Sequence, residues 1–138
     1  MNTTNKIADS YRETNHMHMI VGSSGENIVS DILRDFKKFT SKEIIRILLT
    51  DIQESRREWM LNRFEYSGKN DKKIKNYRFW QEGNDAQEIY LNDYFNQKLN
   101  YIHDNPVRAE ILDRPEEYRY SSAINYAGGK GLLDVTVV

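Results

Sequence analysis

Two histidines separated by one residue stand in the run NHMHMIV, residues 15 to 21. Side chains alternate between the faces of a strand, so His16 and His18 would point to the same side. Two imidazoles on one face can hold a divalent ion if a third, oxygen-bearing ligand comes from elsewhere. The same pattern also arises from ordinary strand packing, and at this point both interpretations stay open.

A second pair of reactive residues lies in the run LNDYFNQKLNYIHDNP, residues 91 to 106. The run is predicted to be helical, and Tyr101 and Asn105 are one helical turn apart, so they share a face. A tyrosine hydroxyl can act as a covalent nucleophile, and an amide oxygen one turn away could complete a metal shell begun by the histidines. A tyrosine beside an apolar stripe is also a common boundary residue of a core.

The elements that must position these residues follow from apolar spacing. MHMIVG is the clearest strand, and apolar residues at three- and four-residue steps from Ile28 to Phe39 predict a helix. This helix either continues or resumes after Phe39, to about Thr50. The remaining predictions are a second helix over 51–68, a basic loop over 69–76, a short aromatic strand over 77–83, the third helix ending before Pro106, and a last strand over 132–138.

Composition narrows the possible chemistry and compartment. A chain of 138 residues predicts one domain, and the absence of cysteine leaves imidazole, carboxylate, amide and phenol groups as metal ligands. No window approaches the about 20 apolar residues of a membrane span, and the first residues lack a signal-peptide core. A cytoplasmic protein is expected.

Charge is divided along the chain, although the net charge is only −1. Residues 31 to 80 contain thirteen Lys and Arg against eight Asp and Glu, whereas residues 81 to 138 contain five against ten. A chain of this kind can present one basic face to phosphate groups while the molecule stays near neutral. Solvated helix faces of mixed sign would give the same counts.

Several segments together carry a family resemblance. TNHMHMIV, LRDFKKFTSKEI, YRFWQ, YIHDNPVRAEI and PEEYRYSSA occur in this order between residues 14 and 126. The combination resembles the single-tyrosine HUH transposases of the REP-associated tyrosine transposase group. The resemblance implies an α+β fold with a ferredoxin-like antiparallel sheet and helices on one face, and a nucleoid-associated protein that acts on hairpins in single-stranded DNA.

The resemblance also implies roles for individual residues. Tyr101 would be the nucleophile that forms a 5′-phosphotyrosine, and His16, His18 and Asn105 would hold Mg²⁺ or Mn²⁺. The expected DNA contacts are Arg34, Lys37, Lys38, Lys42, Lys72, Lys73 and Lys75 for phosphates, Tyr77 or Trp80 for base stacking, and Arg108 for phosphate or for neutralising Glu110. Packing in a core is the alternative role for Trp80, and His103 is expected to face solvent or to be hydrogen-bonded.

The start of the chain departs from the family pattern. Only fifteen residues precede His16, and MNTTNKIADSYRE lacks the alternation of a strand, so the first strand-helix unit is expected to be missing. The histidine strand would then have an exposed edge, which predicts a less stable remnant or a homodimer. Two other functions remain: a hairpin-binding protein without catalysis, and a structural module in which the histidines hold a transition metal.

Overall fold

The structure is a computed structural model of the 138-residue chain that describes the backbone of residues 2–6 and all of residues 16–23, 26 and 28–138. It contains both helices and strands, so the α+β class is confirmed in this coarse sense. The chain forms two compact units, Met1–Gln87 and Glu88–Val138, and each is described by itself. The single-domain interpretation stays a prediction.

The first unit contains three short strands, β1 (Asn2–Lys6), β2 (His16–Ile20) and β3 (Asp85–Gln87). They form an antiparallel sheet in the order β2, β1, β3. Thr4 of β1 stands opposite His18 on one side and opposite Asp85 on the other. The strand that carries both histidines is therefore paired with the central strand.

The prediction that the first strand is missing is wrong. NTTNK has no apolar alternation, but a strand is held by backbone N–H and C=O groups, and threonine favours extended backbone. The helix expected after this strand would fall in residues 7–15, which are outside the described residues. A dimer was expected because β2 would lack a neighbour, and the pairing with β1 removes that reason.

Two helices complete the first unit. The helix α1 spans Val29–Thr50, which confirms that one helix runs to Thr50, and α2 spans Arg57–Gly68, a later start than predicted. The Arg57 side chain donates from Nε to the Leu48 carbonyl at 2.6 Å, so it satisfies an acceptor left open at the end of α1. Leu48, Phe64 and Phe79 form the core of this region.

The basic segment over 69–76 consists of turns, as predicted, but residues 77–83 do not form the predicted strand. Their aromatic side chains pack against the helices instead. The ring of Phe79 lies 5.2 Å from that of Phe64, and the Trp80 indole N–H donates to Thr40 Oγ1 at 2.9 Å. Aromatic density in this segment thus reflects core packing, and strand pairing is limited to an isolated β-bridge at Trp80.

The second unit contains α3 (Asn92–Arg108), a short 3₁₀ helix (Pro115–Glu117) and α4 (Ala123–Tyr126). Pro106 lies inside α3, contrary to prediction. A proline lacks the N–H donor and its ring crowds the carbonyl four residues earlier. The last turn still forms after it, because Ala109 N–H donates to the Asn105 carbonyl at 3.0 Å. The predicted strand over 132–138 is not present. Its backbone accepts bonds from side chains, for example from Asn125 Nδ2 to the Leu133 carbonyl at 3.4 Å.

Candidate functional site

The histidine pair of β2 is assembled as the sequence predicts. The imidazole rings of His16 and His18 are 4.8 Å apart between centroids and nearly perpendicular, which confirms that both side chains lie on one face of the strand. Both residues are half-buried, and the Nε2 atom of His18 is shielded from solvent. Two imidazoles held together on a paired strand form a suitable platform for a divalent ion.

Further ligands for such an ion do not form a ready-made cluster among the residues that the structure describes. Within the described ranges, no group of three His, Asp or Glu side chains is placed to hold a metal. Asn105, the predicted third ligand, belongs to the second unit, whereas the histidines belong to the first. The histidine pair supplies two nitrogen ligands, and an ion held there would need further ligands, such as an amide oxygen, substrate or water.

On α3, Tyr101 and Asn105 lie on one face of the helix, as predicted. The Tyr101 side chain is 45% exposed, whereas Asn105 is half-buried. The guanidinium of Arg108 lies 5.4 Å from the centroid of the Tyr101 ring. A phenol, an amide and a permanent cation are thus lined up along about two turns of one helix.

The contact between Arg108 and Tyr101 was not predicted from the sequence. Arg108 was expected to contact phosphate or to neutralise Glu110, and neither expectation linked it to the tyrosine. The spacing contained the signal, because residues four and seven positions after Tyr101 fall on the same helix face. Arg108 is exposed, so its guanidinium is accessible to an anion that approaches the tyrosine.

Two of the predicted phosphate contacts make bonds within the first unit. Arg34 donates to Asp31 at 2.6 Å and to Asp35 at 3.0 Å, and the hydrogen bond to Asp35 is the main reason why the pKa of Arg34 is raised. Lys37 donates from Nζ to the Gly83 carbonyl at 2.8 Å, and partial burial lowers its pKa. Arg34 is nevertheless exposed, and so are the other five predicted cations of this unit: Lys38, Lys42, Lys72, Lys73 and Lys75.

The two aromatic residues predicted to stack on bases contribute to packing. Tyr77 and Trp80 are half-buried against the core of the first unit. The Trp80 ring lies 5.1 Å from Phe79 and 6.1 Å from Phe36. These contacts agree with the alternative role of Trp80 in a core.

The basic loop over 69–76 is fixed at both ends. Arg78 pairs with Asp71, and Asp71 Oδ1 also accepts the Lys73 backbone N–H at 2.9 Å. At the end of α2, Gly68 is buried, and a Cβ atom there would lie 2.8 Å from Ile74 Cγ2. The loop thus presents Lys72, Lys73 and Lys75 from an anchored backbone.

His103 is buried within the second unit and contacts Ser122 and Tyr126. It is only 8% exposed, its Nε2 lies 2.9 Å from Ser122 Oγ, and its ring is 5.3 Å from that of Tyr126. Burial lowers the pKa of His103. His103 was expected either to face solvent or to be hydrogen-bonded, and the structure confirms the hydrogen-bonded alternative.

No family model, no curated protein and no solved structure matches the chain. No helix in the part of the chain that the structure describes combines the length and apolar character that a bilayer-spanning segment requires. The function therefore has to be argued from the side chains and their geometry.

Proposed function

We propose that this chain cuts and rejoins single-stranded DNA at hairpins, with Tyr101 as the nucleophile. The phenolic oxygen attacks the scissile phosphorus, and the bond from phosphorus to the 3′ oxygen breaks. The phenol loses its proton and the departing 3′ oxygen gains one, so the products are a 5′-phosphotyrosine and a 3′-OH. A 3′-OH can then attack the phosphotyrosine and release Tyr101, so rejoining needs no nucleotide cofactor.

One observation carries the proposal: an exposed tyrosine stands beside an exposed arginine on one face of α3. The guanidinium of Arg108 lies 5.4 Å from the Tyr101 ring. A guanidinium binds phosphate oxygens through paired, charge-assisted hydrogen bonds. A phosphodiester held by Arg108 would therefore lie close to the nucleophilic oxygen, and the same cation would stabilise the charge that develops during attack.

The proposal includes a divalent ion, Mg²⁺ or Mn²⁺, for which His16 and His18 on β2 supply two ligands. Imidazole nitrogen is a commoner ligand of first-row transition ions than of Mg²⁺, which prefers oxygen ligands. When bound, the ion would polarise the scissile phosphate. The chain's own contribution is to fix both imidazoles on β2, so that less ordering is needed when the ion binds.

Hairpin binding and the full fold also belong to this proposal. The three antiparallel strands agree in direction with the sheet of a ferredoxin-like fold. The exposed lysines Lys72, Lys73 and Lys75 would contact the DNA backbone, which supplies affinity and positioning but not sequence choice. A DNA-bound protein of this kind would associate with the nucleoid.

The experiment is intact-protein mass spectrometry after incubation with Mn²⁺ and a pool of hairpin-bearing single-stranded oligonucleotides, followed by peptide mapping. An adduct on Tyr101 is expected. The exposed lysines favour one second candidate, a protein that binds hairpins without cutting them. A salt-sensitive complex without adduct would identify that candidate and would contradict the nuclease proposal.

A further inference from the structure

The arrangement of Tyr101 and Arg108 has a counterpart nearer the start of α3. Lys98 Nζ lies 5.1 Å from the centroid of the Tyr94 ring, so a second tyrosine is paired with a second cation. The two pairs and Asn105 are spaced by four, three, four and three residues. We call these five residues the α3 stripe: Tyr94, Lys98, Tyr101, Asn105 and Arg108.

Helix geometry places the α3 stripe on one narrow face. At about 100° per residue, its five members fall within an arc of about 80°, and they extend over about 21 Å. The buried residues of α3, His103 and Pro106, fall on the far side of the helix. Tyr101 is 45% exposed, Arg108 is exposed, and the other three members are half-buried, so the α3 stripe is accessible along its length.

The chemistry of the α3 stripe suits a single nucleic-acid strand. Such strands are bound by cations that follow the phosphates and by aromatic rings on which bases stack. The rise between Tyr94 and Tyr101 is about 10.5 Å, close to three nucleotide steps of about 3.4 Å. The α3 stripe contains no aliphatic side chain, whereas a partner helix would need apolar anchors, so a protein ligand is disfavoured.

We infer that Tyr94 and Lys98 bind the DNA strand next to the phosphate that Tyr101 attacks. Tyr94 stacks on a base and Lys98 contacts a backbone phosphate, so they position the strand along α3 and take no part in the bond changes. This inference rests on the proposed function, because it extends the site of Tyr101 by two turns of the same helix.

The test measures binding of a fluorescently labelled, unstructured oligothymidylate and of a labelled hairpin oligonucleotide by anisotropy. Tyr94→Leu is combined with Lys98→Gln to give a double variant that we call the stripe variant. The stripe variant is expected to bind both probes about tenfold or more weakly than the parent chain. Lys98→Gln alone should also lower the slope of log affinity against log salt by about 0.7, which loss of fold would not mimic. Tyr94→Phe keeps the ring and should bind like the parent chain.

Matched controls lie elsewhere in the second unit. Tyr120 is 75% exposed and Lys130 is exposed, and neither belongs to the α3 stripe. Combining Tyr120→Leu with Lys130→Gln should leave both affinities within about twofold of the parent chain. Circular dichroism of every variant checks that the helix content is kept. Equal affinities for the stripe variant and the control variant would overturn the inference.

Adduct formation at Tyr101 separates this inference from the proposed function. An adduct in the parent chain, together with parent-like binding by the stripe variant, would leave the nuclease intact and reject the role of Tyr94 and Lys98. Weaker binding by the stripe variant, with no adduct in the parent chain, would support the α3 stripe as a strand-binding surface and reject cleavage.

Discussion

The histidine pair of β2 and the tyrosine face of α3 are built by different interactions. His16 and His18 are held together because β2 pairs with β1, a strand separated from it along the chain. Tyr101 and Arg108 meet because they are two turns apart on one helix. The metal-binding half of the proposed site thus depends on strand pairing, whereas the nucleophilic half needs only α3. Mutations should therefore affect the two halves in separable ways.

The largest effect is expected from a substitution that removes only the nucleophile of the proposed site. Tyr101→Phe should abolish covalent attachment to DNA, because it removes the attacking oxygen. The ring and its contact with Arg108 are kept, so hairpin affinity should stay within about twofold. Intact mass spectrometry and anisotropy on the same samples measure both quantities, and any surviving adduct would rule out Tyr101 as the nucleophile.

The next largest effect is expected when both histidines of the proposed metal site are removed. Combining His16→Ala with His18→Ala should lower the Mn²⁺-dependent cleavage rate about a hundredfold or more, because both nitrogen ligands are lost. Met17 lies between them on the opposite face by strand alternation, so Met17→Leu is the matched control. Rates are measured across a Mn²⁺ titration. If the double variant keeps the metal dependence of the parent chain, the ion is held elsewhere.

A smaller effect tests whether Arg108 acts on the tyrosine. Arg108→Gln should slow adduct formation about tenfold, since it removes the cation beside the attacked phosphate. Arg108→Lys keeps the charge but loses the planar fork, so an intermediate rate is expected. Arg119 is also exposed in the second unit, and Arg119→Gln serves as the control. Equal rates for Arg108→Gln and Arg119→Gln would remove Arg108 from the site.

The same contrast explains what the sequence could predict. The helices α1 and α3 were recognisable because their apolar residues recur with the period of a helix, and the shared face of Tyr101 and Asn105 followed from that period alone. Alternation likewise predicted the shared face of His16 and His18, but not β1, the strand whose pairing holds β2 extended. Local periodicity is sufficient where neighbours along the chain determine the contact.

The errors arise where distant residues decide the structure. β1 is polar and was missed, because its pairing with β2 and β3 has no apolar signature. The aromatic residues over 77–83 were mistaken for a strand because the helices against which they pack are not evident in that segment. The contact of Arg108 with Tyr101 was predictable from the sequence, because a cation seven residues after a tyrosine lies on the same helix face.

The smallest expected effect concerns His103, the histidine that no metal hypothesis uses. Because burial lowers its pKa from the usual 6.5, the unfolded chain binds more protons than the folded chain as the pH falls through and below that value. The contribution of His103 to the free energy of unfolding is therefore present above pH 6.5 and is lost on acidification. Ser122→Ala removes the hydroxyl next to Nε2 and should cost about 1 kcal/mol at neutral pH.

Urea denaturation of the parent chain and of a His103→Gln variant between pH 7 and pH 5 measures this contribution. The difference between the two curves isolates His103, because His16 and His18 are present in both chains. The parent chain should lose more stability on acidification than the variant. Added Mn²⁺ should not change that difference, since the His103 ring is packed against Tyr126 and bonded to Ser122. A difference that disappears with Mn²⁺ would instead make His103 a metal ligand, and the separation between a metal-binding strand and a nucleophilic helix would no longer hold.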